Sequence, residues 1–183
     1  QLEQYFDALW PICRSISGNG LRHSFKILQE IIPFELIEVP TGTVVLDWKI
    51  PKEWNINDAY IITPNGKKIA EFKINNLHLI NYSIPVNKTM SWEELKPHLH
   101  TLPNKPDAIP YLTTYYKETW GFCLTHHEYL QLPQEGNYQV VIESTLADGA
   151  ITYGQYILKG SSEEEILFSS YLCHPSMANN ELS

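Results

Sequence analysis

The stretch that most restricts the possible folds is Ile166–Ser183, ILFSSYLCHPSMANNELS. Ile166, Leu167, Phe168, Tyr171 and Leu172 form an apolar run broken only by a serine pair, the pattern of a strand buried on both faces of a sheet. Proline gives no N–H to a ladder and restricts the residue before it. Cys173-His174-Pro175 therefore predicts the strand's end, with His174 sitting there. In an open α/β sheet, ligands bind at the carboxyl ends of strands. The residues that follow, Ser176 to Ser183, are small, amide-rich and acidic. A buried strand that delivers a histidine to a loop of oxygen and amide side chains is one way for a hydrolase to begin a metal site.

The chain has 183 residues, 43% of them hydrophobic, enough for one large domain or two small ones. A net charge of −8 argues against nucleic acid and anionic membranes as partners. No apolar run approaches the roughly 20 residues that span a bilayer, and no charged-then-apolar leader opens the sequence. Cys13, Cys123 and Cys173 are odd in number and far apart, which predicts unpaired thiols in a reducing compartment. A cytoplasmic location is expected.

Residues 1–32 read as helical. Leu2, Tyr5, Phe6, Leu9, Ile12 and Cys13 recur at helical spacing, interrupted by Pro11; Ser17-Gly18-Asn19-Gly20 breaks the pattern, and Leu21, Phe25, Leu28, Ile31 and Ile32 repeat it before Pro33. Strands are predicted at Leu36–Val39 and Val44–Leu46. From about Pro51 the texture changes to short segments rich in Ile and aromatics: Asp58–Thr63, Lys68–Phe72 and Leu77–Tyr82, with a turn at Pro64-Asn65-Gly66. Ser91-Trp92-Glu93-Glu94 is a capping box that opens a short helix to about His100. Tyr111–Tyr116 and Gly121–Thr125 read as further strands, as do Asn137–Leu146 and Ala150–Lys159, the last two joined at Ala147-Asp148-Gly149. The expected fold class is α/β, in two parts: a body from residues 1–51 and 133–183, and a β-rich insertion over 52–132.

Among candidate functional residues His174 leads, because it ends a buried strand and is followed by Asn179, Asn180 and Glu181. Imidazole and carboxylate are the ligand set of hydrolytic zinc. The remaining candidates have plainer readings. His126 and His127 at a strand end would face apart, so they do not share one ion. His98 and His100 near a helix terminus suit its dipole. Cys123 reads as a small core residue. Arg14 either binds a carboxylate or pairs with a local acid. Trp48, Trp54, Trp92, Tyr111, Tyr115 and Tyr116 either pack or stack on sugar rings.

The segment from Ala150 to Ser183 resembles the first metal-ligand segment of the co-catalytic zinc aminopeptidases, in which a hairpin leads to a buried strand ending in His-x-Asp. More closely, the chain resembles bacterial aminopeptidase-like proteins found among polysaccharide-biosynthesis genes, which nest a β-rich domain of unknown function inside the aminopeptidase-like domain. The matching phrases are Pro11–Gly20, Trp120-Gly121-Phe122-Cys123 and Cys173–Ser183. The resemblance implies a partial zinc-aminopeptidase-like mixed sheet with helices. It places His174 on the first zinc ligand, Asn180 on the metal-bridging Asp, and Glu181 on the position after it. Ser176 stands where the supporting Asp would be and brings no charge, so the outer shell is weaker. A neutral amide at Asn180 holds two cations poorly, so the site is expected to carry one or two zinc ions or to be degenerate.

The general base and the remaining ligands implied by the resemblance lie later than Ser183, so no catalytic residue is assigned here. The chain thus reads as the N-terminal part of a metal-dependent hydrolase cleaving an amide bond, with a peptide amino terminus or a modified amino sugar as substrate. Activity is not expected of these residues alone. The competing reading is a non-catalytic module on a degenerate aminopeptidase fold that binds a glycan or a protein.

Overall fold

The computed structural model describes residues 2–175, which form a mixed α/β protein in two units. Unit one takes the chain up to Glu53 and from Asp148 onward; unit two takes Trp54–Ala147. The chain runs through α1 (Leu2–Leu9), α2 (Asn19–Leu28), β1 (Glu35–Pro40), β2 (Val44–Val45) and β3 (Trp48–Lys49). Then come β4 (Glu53–Ile62), β5 (Lys68–Ile69), β6 (Val86–Ser91), α3 (Trp92–Leu95), β7 (Leu99–His100), β8 (Phe122–Cys123), α4 (His126–Leu130) and β9 (Asn137–Ala147). The last strand, β10 (Ala150–Gln155), belongs to unit one.

In unit one, α1 ends at Leu9, ahead of Pro11 and short of the Ile12 and Cys13 that continue its apolar spacing, because proline supplies no N–H to a further turn. The backbone then passes so close to α2 that a Cβ on Gly20 would lie 1.9 Å from the Cys13 carbonyl oxygen, which only glycine permits. Leu21, Ser24 and Phe25 form the buried face of α2, and the Ser24 hydroxyl donates back to the Gly20 carbonyl at 2.9 Å. The β1 and β10 strands pair antiparallel, Glu35 opposite Gln155 through Pro40 opposite Ala150. Arg22 ties this unit together. Its two terminal nitrogens donate to Glu53 at 2.8 and 2.7 Å and its Nε to Glu38 at 2.6 Å, while the Ala150 amide donates to Glu53 at 3.1 Å.

Unit two holds a four-stranded sheet in the order β5-β4-β9-β6. The β6 and β9 strands pair antiparallel from Val86 opposite Ile142 to Ser91 opposite Asn137. Tyr138, Val140 and Ile142 alternate into the core, which also contains Ile61, Trp92, Leu95, Phe122 and Leu124. The capping box at Ser91 forms as predicted: the hydroxyl accepts from the Glu94 amide and the Glu94 carboxylate accepts from the Ser91 amide. Gly66, at φ 81°, turns the chain between β4 and β5. A short parallel pair, β7 with β8, completes the unit.

Several expectations are corrected. The second unit boundary falls at Ala147/Asp148 rather than near residue 132, because β9 is hydrogen-bonded within the unit-two sheet. For the same reason β9 and β10 do not form a hairpin: one pairs with β4 and β6, the other with β1. Leu77–Tyr82 and Tyr111–Tyr116 are not strands; a 3₁₀ turn at Asn76–His78 and single bridges, Leu79 to Phe122 and Asn81 to Thr113, replace ladders there. Ile166–Leu172 is not a buried strand either. Ile166, Leu167 and Phe168 are 85%, 89% and 91% exposed, and no described strand runs alongside to cover either face.

Phe122 is fully buried where β8 meets the rest of the unit-two core. Phe122→Ala is expected to cost about 3–5 kcal/mol through lost burial and the cavity left behind, read as a lowered urea midpoint with an unchanged slope.

Candidate functional site

Beyond β10 the chain runs without regular structure to Cys173-His174-Pro175. Pro175 is buried, and His174 is half-buried just before it. The Tyr171 ring lies edge-on to the imidazole, centroids 6.4 Å apart, and the Cys173 Sγ is 4.0 Å from Nδ1. The His174 carbonyl accepts a hydrogen bond from Arg14 Nε at 2.9 Å, although 160 positions separate the two residues. Arg14 is fully buried, and its Nη1 donates to the Leu9 carbonyl at 2.6 Å, at the end of α1. Helix ends leave carbonyls unpaired, and a basic side chain is one standard way to cap them. Two of the Arg14 nitrogens thus bond backbone carbonyls, partners that sequence reasoning did not foresee for it.

Ser176, Asn180 and Glu181 lie outside the described residues, so His174 is the one predicted ligand that can be placed. Among the described residues no three His, Cys, Asp or Glu side chains come together as a metal set would require. His174 fits the chemistry of a single donor, and the described residues by themselves do not complete a zinc site.

Apart from His23 on α2, the other histidines belong to unit two. His126 and His127 do not end a strand; they open α4 behind a second capping box, Thr125 with Glu128. Their Nδ1 atoms are 3.0 Å from the Thr101 hydroxyl and from Asp107, respectively. His98 stacks on Trp120 at 3.6 Å and 8°, and its Nδ1 lies 2.9 Å from the Trp120 carbonyl. His78 is buried, with Nδ1 2.8 Å from the Cys123 carbonyl. Since a carbonyl only accepts, both rings carry their proton on Nδ1. Burial pushes the Cys123 thiol up to about 12, which makes it a core residue and no nucleophile.

Aromatic rings form a ladder in unit two. The buried Trp54 stacks on Tyr82 at 5.8 Å, Tyr82 meets Tyr115 edge-on at 5.1 Å, and Tyr115 meets Tyr116, which is 85% exposed. Tyr82 holds φ at 72°, a backbone region costly for a side chain of its size. No sequence signal marks that strain.

The family described as "Domain of unknown function (DUF2172)" matches residues 53–145, nearly the whole of unit two. The chain belongs to this family. It is also 53% identical, over all 183 residues, to a Clostridium acetobutylicum protein named "Putative polysaccharide biosynthesis protein with aminopeptidase-like domain". A crystal structure of a "putative peptidase" from Clostridium acetobutylicum superposes with a TM-score of 0.93 at 54% identity, over 98% of this chain. The chain spans 42% of the length of each. The expected α/β class and the resemblance to aminopeptidase-like proteins of polysaccharide biosynthesis thus agree with these relatives. No described helix is long and apolar enough to cross a membrane.

Burial, then the nearby His98, lowers the His100 pKa in the folded state. The unfolded chain therefore binds a proton at higher pH than the folded one does. Stability is complete above the ordinary histidine value near 6.5 and falls as pH drops below it. Thermal melts between pH 7.5 and 5.5 are expected to show this decline, and His100→Gln to flatten it.

Proposed function

We propose that the chain forms part of an aminopeptidase-like, zinc-dependent hydrolase acting on an amide bond, at a peptide amino terminus or on an amino sugar. The observation that carries this reading is the 53% identity along the whole chain with a protein named for an aminopeptidase-like domain. The anchored, half-buried His174 supports it, as an imidazole that could serve as one ligand. From sequence, Asn180 or Glu181 adds a donor and Ser176 supports the histidine. In a protein of the relatives' length, the other donors and the general base come from the part this chain does not span. The same part would cover the exposed Ile166–Phe168 row. Bound zinc would polarise a carbonyl and lower the pKa of a water. The described residues contribute a held imidazole and no proton-transfer group, so no reaction step is assigned to them.

A second reading, glycan recognition by unit two, is favoured by the ladder that ends at the exposed Tyr116. Aromatic faces with nearby hydroxyls suit sugar rings, and the Tyr111 and Tyr115 hydroxyls lie 3.5 Å apart.

Metal analysis of the full-length protein separates the two readings. For the hydrolase, zinc is expected at one or two ions per chain, is removed by a chelator, and falls at least tenfold in affinity in His174→Ala. Zinc binding that is unchanged in His174→Ala would overturn the ligand assignment. Glycan binding that survives the chelator and is lost in Tyr116→Ala would favour the second reading.

A further inference from the structure

We propose that Arg14 is a positioning residue that sets the orientation of the His174 imidazole. The inference rests on reading His174 as a functional side chain, and it adds a residue which that reading does not contain. A guanidinium with no exposed surface is costly to bury, and it persists only where its donors are used. Here two of its nitrogens bond main-chain oxygens from opposite ends of the sequence, Leu9 at 2.6 Å and His174 at 2.9 Å. Bonds from a charged donor are about twice as strong as neutral ones. The planar fork also fixes the angle between its two acceptors, which a flexible ammonium cannot do.

The constraints on His174 converge from three sides. Pro175 confines the histidine backbone to extended conformations. Arg14 holds its carbonyl, so the peptide plane cannot rotate. The Tyr171 edge and the Cys173 sulfur flank the ring itself. With the main chain fixed, two side-chain torsions remain to the imidazole. This matters because, among the described residues, the preceding row Ile166–Phe168 is exposed and gives little support. A metal-binding or catalytic histidine needs its ring held within a few tenths of an ångström, and loss of a supporting interaction typically costs 10–100-fold in metal affinity. In this site the support acts through the histidine main chain.

The test has a metal-free arm and a metal arm. In the first, histidine ring resonances of the isotopically labelled protein are recorded, and that of His174 is assigned with His174→Gln. Arg14→Gln is expected to move the His174 resonance toward its random-coil position and broaden it. Arg14→Lys keeps the charge but can satisfy one carbonyl, so it should fold and shift the peak part of the way. Arg22→Gln is the control: it breaks a partly buried ion pair in the same unit without touching His174. An unmoved His174 peak in both Arg14 variants, or an equal shift in Arg22→Gln, overturns the inference.

In the second arm, cobalt(II) is titrated into the full-length protein and its visible absorption followed. Arg14→Gln is expected to weaken cobalt binding about tenfold or more and to change the band shape. Equal affinity and an identical spectrum in wild type and Arg14→Gln would also overturn it. If wild type binds no cobalt while the first arm succeeds, the zinc reading fails and the positioning role stands.

Discussion

Both terminal nitrogens of Arg22 and the amide of Ala150 converge on the carboxylate of Glu53, and unit one takes its arrangement from that point. The same guanidinium reaches Glu38 on β1, to which the Thr152 hydroxyl of β10 also donates at 3.3 Å. A helix, both strands of a sheet and the first residue of β4 are thus joined through one guanidinium and its two carboxylates. The Arg22 and Glu53 side chains are 24% and 14% exposed, so salt screens this pair less than it would a surface pair. The bonds to Glu53 hold the guanidinium above even its usual high pKa. The unit has a small apolar core, chiefly Leu9, Leu21, Phe25, Ile50 and Ala150, and a directional polar tie gives it the register that so few packed side chains leave loose.

Where regular structure is sparse, buried and half-buried side chains complete the backbone's hydrogen bonding. His78 and His98 hold the carbonyls of Cys123 and Trp120, flanking β8. Trp54 and Ser144 both donate to the Ser83 carbonyl, at 2.9 and 2.7 Å. Arg14 does the same for Leu9 and His174. A buried carbonyl without a donor is unfavourable, so irregular segments require such residues just as strands require ladders. Of the histidines weighed from the sequence, His98 is occupied in this way.

Local chemistry was legible in the sequence and long-range pairing was not. Ser91 with Glu94 and Gly66 in its turn act through residues within one turn of themselves, and each behaves as its spacing predicts. Thr125 with Glu128 carries the same capping signal as Ser91, but the apolar Phe122–Leu124 before it suggested a strand running through. The β6 strand was missed because its segment, VNKTMS, has one buried residue, Val86, and an edge strand need not alternate. Strand existence at 137–147 was evident from its apolar pattern; its partner was not, since pairing depends on residues as distant as Val86. The apolar run at 166–172 shows the limit most clearly. Composition specifies what a segment would bury, and burial also needs a neighbour. As for the site, His174 was visible through its proline, whereas the hold that Arg14 has on it depends on the folded path of the chain.

Glu53 and Ala150 are neighbours in space although the chain between them builds a separate unit. A Cβ on Gly149 would meet the Glu53 carboxylate at 2.5 Å, so the two strands of backbone pass without room for a side chain. The host fold therefore sees the whole intervening domain as a loop whose ends are already closed. Closure entropy grows only with the logarithm of loop length, and a loop that folds on itself leaves little of that penalty to its host. A doorway this narrow would admit a passenger of almost any size, or a tight turn in its place, without the host having to change.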